Sequence, residues 1–319
     1  MNKITEYIKT NMENLSRLVA VIVIFIALII ISPSFGEFAN LLNVLRVVSL
    51  NLMIATGIAL CMMVSGIDLS VGANIALTTI LFARFFQMGH STGDMIFGIV
   101  GILTVATFVG FLNGVTVAYL GIAPFLATYG IQQIARGLSY FITRGMVFTS
   151  FTPQFQFLGG GYFFRIPMPV IFAAILLLVI GFMLKRTTLG RQIMAVGSNK
   201  EAARFSGINV NRILLAAYTM SGFIAGFAGI IYISRLNAAE PNIGADFAQN
   251  AIAAAAIGGI SFKGGRGSVF GIIIGALILT FVTNGMNLLG VNSNWQMGVT
   301  GVIILLAVLI DRTTAKKRV

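Results

Sequence analysis

Ten runs of apolar residues, separated by polar or glycine-rich breaks, set the pattern of this chain. They fall at about 18–32, 45–64, 70–88, 95–119, 124–143, 166–184, 213–233, 248–261, 268–288 and 295–310. A helix needs roughly 20 apolar residues to cross a bilayer. Lipid cannot hydrogen-bond an open strand or coil, so long apolar runs read as helices. The pattern predicts an all-α polytopic membrane protein of about ten transmembrane helices, with both ends of the chain on one side. The run at 248–261, AQNAIAAAAIGGIS, is short and rich in small residues. Such a segment is either buried in the bundle, where Ala and Gly allow close backbone approach, or re-entrant.

Composition strengthens this reading. Of 319 residues, 57% are apolar and 9% charged, and the mean hydropathy is +0.96. Soluble domains carry about 25% charged residues. The whole of 1–319 reads as one transmembrane domain. The N-terminal segment MNKITEYIKTNMENLSR is too polar for too long to be a cleaved signal peptide. Cys61, the single cysteine, lies in an apolar run and reads as a small hydrophobe.

Net charge is +12, and its placement reports topology rather than nucleic-acid binding. The longest polar stretch, 185–212, holds Lys185, Arg186, Arg191, Lys200, Arg204 and Arg212 against one acid, Glu201. With the N-terminus inside, 15 basic residues fall on the inner side and four on the outer: Arg46, Arg144, Arg165 and Arg235. Basic segments resist export, so both termini are expected in the cytoplasm. The segment 144–165, aromatic and Gly-rich, then lies outside. Its aromatics suit an interfacial belt or an external partner.

A faint internal echo accompanies the topology. Val71-Gly72-Ala73 recurs as Ile243-Gly244-Ala245, and Asn113-Gly114 as Asn284-Gly285. The offset covers five spans, an odd number, and so predicts an inverted internal repeat, a common plan in transporters.

Three stretches carry candidate chemistry. Gly66-Ile67-Asp68-Leu69-Ser70-Val71-Gly72 interrupts two apolar runs. It is either a turn in which Asp68 or Ser70 caps the next helix, or a broken helix lining a pathway. The fifth run carries Tyr129, Gln132, Gln133, Arg136, Ser139, Tyr140 and Thr143 on one helical face. An arginine at membrane depth costs about 2.5–3.5 kcal/mol, so Arg136 needs a role or a partner. It snorkels outward, ties helices together, or walls a hydrophilic pathway whose hydroxyl and amide groups suit sugars. Asp68, Ser70, Gln132, Gln133, Arg136, Ser139 and Asn284 are the pathway candidates. Within 185–212, Glu201-Ala202-Ala203-Arg204-Phe205-Ser206-Gly207 reads as a short helix ended by glycine. Ser198-Asn199 offers its cap, and Glu201 follows Ser198 at capping-box spacing.

Signals for an enzyme are missing. The one histidine, His90, falls in an expected outer loop without a Cys or carboxylate cluster, so no metal site, catalytic residue or cofactor is expected. There is no G-x-x-x-x-G-K-[ST] phosphate loop, so any ATP must be hydrolysed by another chain. Acids are nearly missing from the spans, which disfavours the alternative, an ion-coupled secondary transporter.

These motifs also carry a resemblance. G-I-D-L-S-V-G at 66–72, T-x-L-G-R at 187–191, G-S-N-x-E-A-A-R-x-S-G-I-N-V at 197–210 and N-G-M-N-L-L-G-V at 284–291 resemble bacterial ABC sugar-importer permeases. The likeness runs in order from about residue 30 to 312. It points to the ribose, xylose, galactose and arabinose group, with ribose the leading guess. It implies a permease subunit in the bacterial cytoplasmic membrane that is not itself the ATPase. It also implies a cytoplasmic ATPase, an external sugar-binding protein and a second permease copy as partners, besides membrane lipid. The resemblance gives the coupling of the ATPase to Glu201, Ala202, Ala203 and Gly207.

The topology has a direct check. In a Cys61→Ala background, single cysteines near Ser198 and Thr314 are expected to resist an impermeant external thiol reagent. One near Gly160 is expected to react, once any outer barrier is permeabilised. Labelling near Ser198 from outside overturns the arrangement.

Overall fold

The computed structural model describes residues 3–86 and 92–316. His90, Lys317 and Arg318 lie outside the described residues. Thirteen α-helices account for most of the described chain: α1 (Lys3–Ile31), α2 (Phe38–Met63), α3 (Val71–Phe86), α4 (Thr92–Ala118), α5 (Pro124–Thr143), α6 (Pro153–Gly160), α7 (Met168–Arg186), α8 (Thr188–Ser198), α9 (Lys200–Phe205), α10 (Val210–Leu236), α11 (Phe247–Ile257), α12 (Val269–Leu288) and α13 (Ser293–Lys316). Each of the ten apolar runs falls on its own helix. Five helices are long and apolar enough to cross a membrane: α2, α4 from Gly93, α7, α10 and α12.

Helix starts follow local chemistry. Thr187, Asn199, Asn209 and Ser268 each accept the backbone N–H three residues on, at the heads of α8, α9, α10 and α12. Prolines occupy the first turn of α5, α6 and α7, where a missing N–H costs nothing. The segment 144–165 is more than a loop. Beside α6 it holds β1 (Phe148–Thr149), which pairs antiparallel with β4 (Ala238–Ala239), and a hairpin of β2 (Tyr162–Phe163) and β3 (Ile166–Pro167).

α2 and α10 form the buried centre and pack on each other. The neighbours of one recur around the other. α10 lies against α4 and α3, while α2 lies against α12 and α11. α3 packs on α4 and α5, and α11 on α12 and α13. This exchange of neighbours is the pattern that an internal repeat would give; Val71 opens α3, and Ile243 stands four residues before α11. Neither of these two helices is long. At 1.5 Å per residue, 16 residues of α3 rise about 24 Å and 11 residues of α11 about 17 Å, short of roughly 30 Å of hydrocarbon. Ala251 and Ala253–Ala256 of α11 are buried in the bundle.

Small residues set the helix separations. A Cβ on Gly222 of α10 would stand 2.4 Å from the Ala106 carbonyl oxygen and 2.7 Å from Gly110 Cα of α4. Apolar side chains gain nothing by leaving lipid, so close packing of this kind is what holds the pair together. Gly222→Val is expected to cost about 1–3 kcal/mol through overpacking. Gly130→Val on α5, where an added Cβ meets nothing within 4 Å, is the control. Thermal melting of purified protein checks this. Equal melting of Gly222→Val and wild type discards the close-packing account.

Candidate functional site

The chain leaves α2 through a tight reversal. Ser65 takes a left-handed φ of 60°, and the Val64 and Gly66 N–H groups both return to the Cys61 carbonyl. Gly66 is required here, since a Cβ would lie 2.3 Å from the Tyr218 hydroxyl. Residues 67–70 then run without helix into the bundle. Asp68 and Ser70 are each 1% exposed. One carboxylate oxygen of Asp68 accepts the Ser70 N–H at 3.0 Å and the Ser70 hydroxyl at 2.7 Å. The other accepts the Ser221 hydroxyl of α10 at 2.8 Å. Asn113 of α4 donates to Ser70 Oγ at 2.6 Å. The Leu69 N–H reaches Thr128 Oγ1 of α5 at 3.2 Å, and the Tyr218 hydroxyl approaches the Ile67 carbonyl at 3.4 Å. These donors occupy both carboxylate oxygens of Asp68. The motif is a turn held by side chains of α4, α5 and α10, and it interrupts helix inside the bundle.

A second break, 238–246, enters between α10 and α11. Gly244, at φ 72°, meets Gly72, the first-turn glycine of α3; a Cβ on Gly72 would lie 1.9 Å from the Gly244 oxygen. Arg136 of α5 donates through Nη1 to the Pro241 carbonyl and, at 2.8 Å, to the Ile243 carbonyl. These carbonyls are the partners that a charge at depth requires. Thr128 and Arg136 are eight residues apart, about 12 Å along the helix. One helix therefore holds both breaks.

The polar stripe of α5 straddles an edge. Ser139 and Thr143 are buried, their hydroxyls on the Ala135 and Ser139 carbonyls at 2.8 Å. Arg136 and Gln132 are half-buried, while Tyr129, Gln133 and Tyr140 are exposed. Asn284 lies apart from this cluster. It exchanges hydrogen bonds with Asn40 at 3.1 and 3.2 Å, joining α12 to the start of α2.

At the end of the bundle that the charges assign to the cytoplasm, α9 stands out on the surface. Asn199 Oδ1 caps it at 2.9 Å from Ala202 N, and Ser198 instead donates to the Met194 carbonyl. The capping box expected from Ser198 and Glu201 does not form, because the helix starts one residue later. Gly207, at φ 79°, ends it as expected. Glu201 pairs with Arg204 at 3.1 Å, Ala203 packs inward, and Phe205 is 88% exposed. Just before α9, three segments meet backbone to backbone. The Gly265 N–H donates to the Met63 carbonyl, and the Ser65 hydroxyl lies 3.0 Å from the Gly197 oxygen and 2.6 Å from the Lys263 oxygen. A Cβ on Gly197 would stand 1.7 Å from the Met63 oxygen.

The structure thus joins Asp68 and Ser70, and places Arg136 on the neighbouring break. Asn113, Thr128, Ser221 and Ser65 were not singled out as site residues by the sequence. Each is an isolated polar residue on an apolar helix or at its end, which is the signal that marks them. Among the described residues no three His, Cys, Asp or Glu side chains gather to hold a metal ion.

Residues 40–308 match the family described as branched-chain amino acid transport system / permease component. The chain belongs to that permease family. It is 41% identical over 298 residues to the ribose import permease protein RbsC of Escherichia coli (strain K12), covering 92% of each chain. The ribose import permease protein RbsC of Bacillus subtilis (strain 168) is 38% identical over 303 residues, 94% of this chain and 93% of the relative. The D-allose transport system permease protein AlsC of Escherichia coli (strain K12) is 36% identical over 300 residues, 92% of this chain and 91% of the relative. No solved structure matches the chain. As a member of this permease family it is a multi-pass membrane protein and a transport component rather than the ATP-hydrolysing one.

Arg136→Leu leaves two carbonyls of a buried break without their donor, a loss of about 1.5–3 kcal/mol per charge-assisted bond. Transport is expected to fall severely, and Arg84→Leu, exposed near the end of α3, is expected to do much less. Uptake measured at equal membrane abundance decides. Normal uptake by Arg136→Leu removes Arg136 from the working parts.

Proposed function

We propose that this chain is the permease subunit of an ATP-binding-cassette importer that carries a monosaccharide, ribose or a related sugar, across the bacterial cytoplasmic membrane. The observation that carries this reading is the likeness of nearly the whole chain to permeases named for ribose and D-allose. The chain crosses the membrane ten times as a single domain, with both termini inside. The cytoplasmic ATPase seats on α9, and an external sugar-binding protein delivers the substrate on the side of 144–165.

Two copies of the chain enclose the pathway. The exposed flank of α5, with Tyr129, Gln133 and Tyr140, supports this. Amides facing lipid are costly, so a second copy across an aqueous route satisfies the flank better than hydrocarbon does. Gln132, Gln133 and Arg136 border that route, while Asp68, Ser70 and Ser139, buried behind them, hold its wall. An ion-coupled mechanism finds no comparable support. The ionisable residues of the central breaks, Asp68 and Arg136, are both engaged within the chain.

The geometry of α9 suits a coupling role. Glu201, Ala202 and Ala203 form a short capped turn beside the exposed Phe205, and Gly207 turns the chain sharply into α10. Small side chains let such a turn enter a groove closely. An added Cβ at Gly207 meets nothing within 4 Å, but φ of 79° is hostile to a β-branched residue. Gly207→Val is therefore expected to leave the permease in the membrane and loosen the ATPase from it. Binding-protein-stimulated hydrolysis and sugar uptake fall together, and Gly207→Asn, which tolerates the left-handed backbone, largely keeps both. The measurements are co-purification of the ATPase and stimulated hydrolysis in proteoliposomes. Wild-type assembly and stimulation by Gly207→Val defeat the coupling role of α9.

A further inference from the structure

Three of the four basic residues that the charge count places outside converge at one spot. Arg46 lies eight residues into α2, with its guanidinium carbon 4.7 Å from the centroid of the Tyr162 ring. Arg235, in the last turn of α10, donates at 2.8 Å to Oδ1 of Asn43, which stands one turn before Arg46 on α2. Arg165 and Tyr162, on the β2–β3 hairpin, line a cavity of about 360 Å³ together with Phe38 and Leu42 of α2. Among the described residues no carboxylate pairs with any of the three arginines, and the Nε of Arg46 is buried without a hydrogen-bond partner. Cations gathered around Tyr162 and the first turns of α2, with a buried donor left over, are stabilised by an anion.

Depth selects the anion. At 1.5 Å per residue the 26 residues of α2 rise about 39 Å, more than the roughly 30 Å hydrocarbon layer. The first turns of α2 therefore stand in the headgroup layer, and Arg46, about 12 Å in, sits at its inner boundary. An aromatic beside arginines at this level is the usual make-up of a headgroup contact. The cavity wall is apolar on one side, at Phe38 and Leu42, and cationic on the other, at Arg165. A carboxylate on a docking protein meets the outer rim first, whereas a lipid phosphate is already present at the level of Arg46.

We propose that Arg46, Arg165 and Arg235, with Tyr162, form a binding site for the phosphate of an anionic phospholipid headgroup. Guanidinium groups bind phosphate through paired, charge-assisted hydrogen bonds. Arg46 supplies the buried donor, and Arg235 adds charge from the end of α10. Arg165 closes the site from the hairpin. The lipid thereby ties the outer start of α2 to α10 and to the 144–165 segment.

The test uses the full-length permease, purified in detergent and exchanged against phosphatidylglycerol or phosphatidylcholine. Native mass spectrometry reads bound lipid, and thermal melting reads stabilisation. Retention of phosphatidylglycerol is expected to exceed that of phosphatidylcholine by roughly tenfold. Arg46→Gln and, separately, Arg165→Asn are expected to remove most of that preference. Arg165 has φ 66°, which asparagine tolerates, and its side chain is exposed, so this variant keeps the fold if Arg46→Gln does not. Equal retention of the two lipids overturns the proposal, as does a preference untouched by Arg165→Asn. Inorganic phosphate that stabilises the protein as well as phosphatidylglycerol does would make the ligand a free anion instead. Variants that keep the lipid preference but weaken docking of the binding protein would assign the arginines to that protein.

Discussion

The constraint on which this protein rests is the need to satisfy backbone that is not helical, in a place without water. Two breaks, 64–70 and 238–246, enter a bundle built mainly of helices, whose own backbone groups are paired along each helix. The first is held by Thr128 of α5, Asn113 of α4, and Tyr218 and Ser221 of α10. The second is held by Arg136 of α5. Where they touch, at Gly72 and Gly244, neither residue has room for a side chain. The arrangement accounts for the short α3 and α11. Each begins inside the bundle, so neither needs the length of a full span.

This constraint also explains why α5 and α10 are the helices that matter beyond packing. α10 starts three residues after Gly207, the end of the exposed α9 turn. Eight and eleven residues further on it carries Tyr218 and Ser221, which hold the first break. The helix that leaves the surface turn is thus the one that grips Asp68. α5 holds both breaks with its inner edge, and its exposed side mixes Gln133, Tyr129 and Tyr140 with Phe125, Leu126, Ile134, Leu138 and Phe141.

Much of this was legible in the chain. The ten apolar runs became ten helices because in lipid a run of that length has no other stable state. The Asn199 cap and the Gly207 stop were readable because both act through backbone within a few residues. The interruption at 66–72 was readable as a break, and the Val71 and Ile243 echo located the two breaks that meet. What could not be read were partners far off in sequence. Arg136 announced that it needed acceptors, but nothing near it names Pro241 and Ile243. Ser221 is one serine among the apolar and small residues of α10, and only the fold brings it to Asp68. The structure inside 144–165 was hidden for another reason. The strands there are two residues long and are defined by their partners, β1 by β4 and β2 by β3, rather than by periodicity of their own.

The two ends of the bundle are held by different sets of contacts. At the end assigned to the cytoplasm, Met63, Gly197 and Gly265 meet through backbone atoms, and Ser65 bridges two carbonyls. Glycine contacts of this kind leave no side-chain rotamers to adjust, so α2, α8 and the 261–267 turn are constrained to move together. At the other end, backbone pairing of β1 with β4 and the close approach of Gly159 to Arg235 are joined by side-chain contacts: Arg46 on Tyr162, Arg235 on Asn43, and Asn40 with Asn284. Side-chain contacts of this kind shift by changing rotamers, a freedom that the glycine contacts at either end lack.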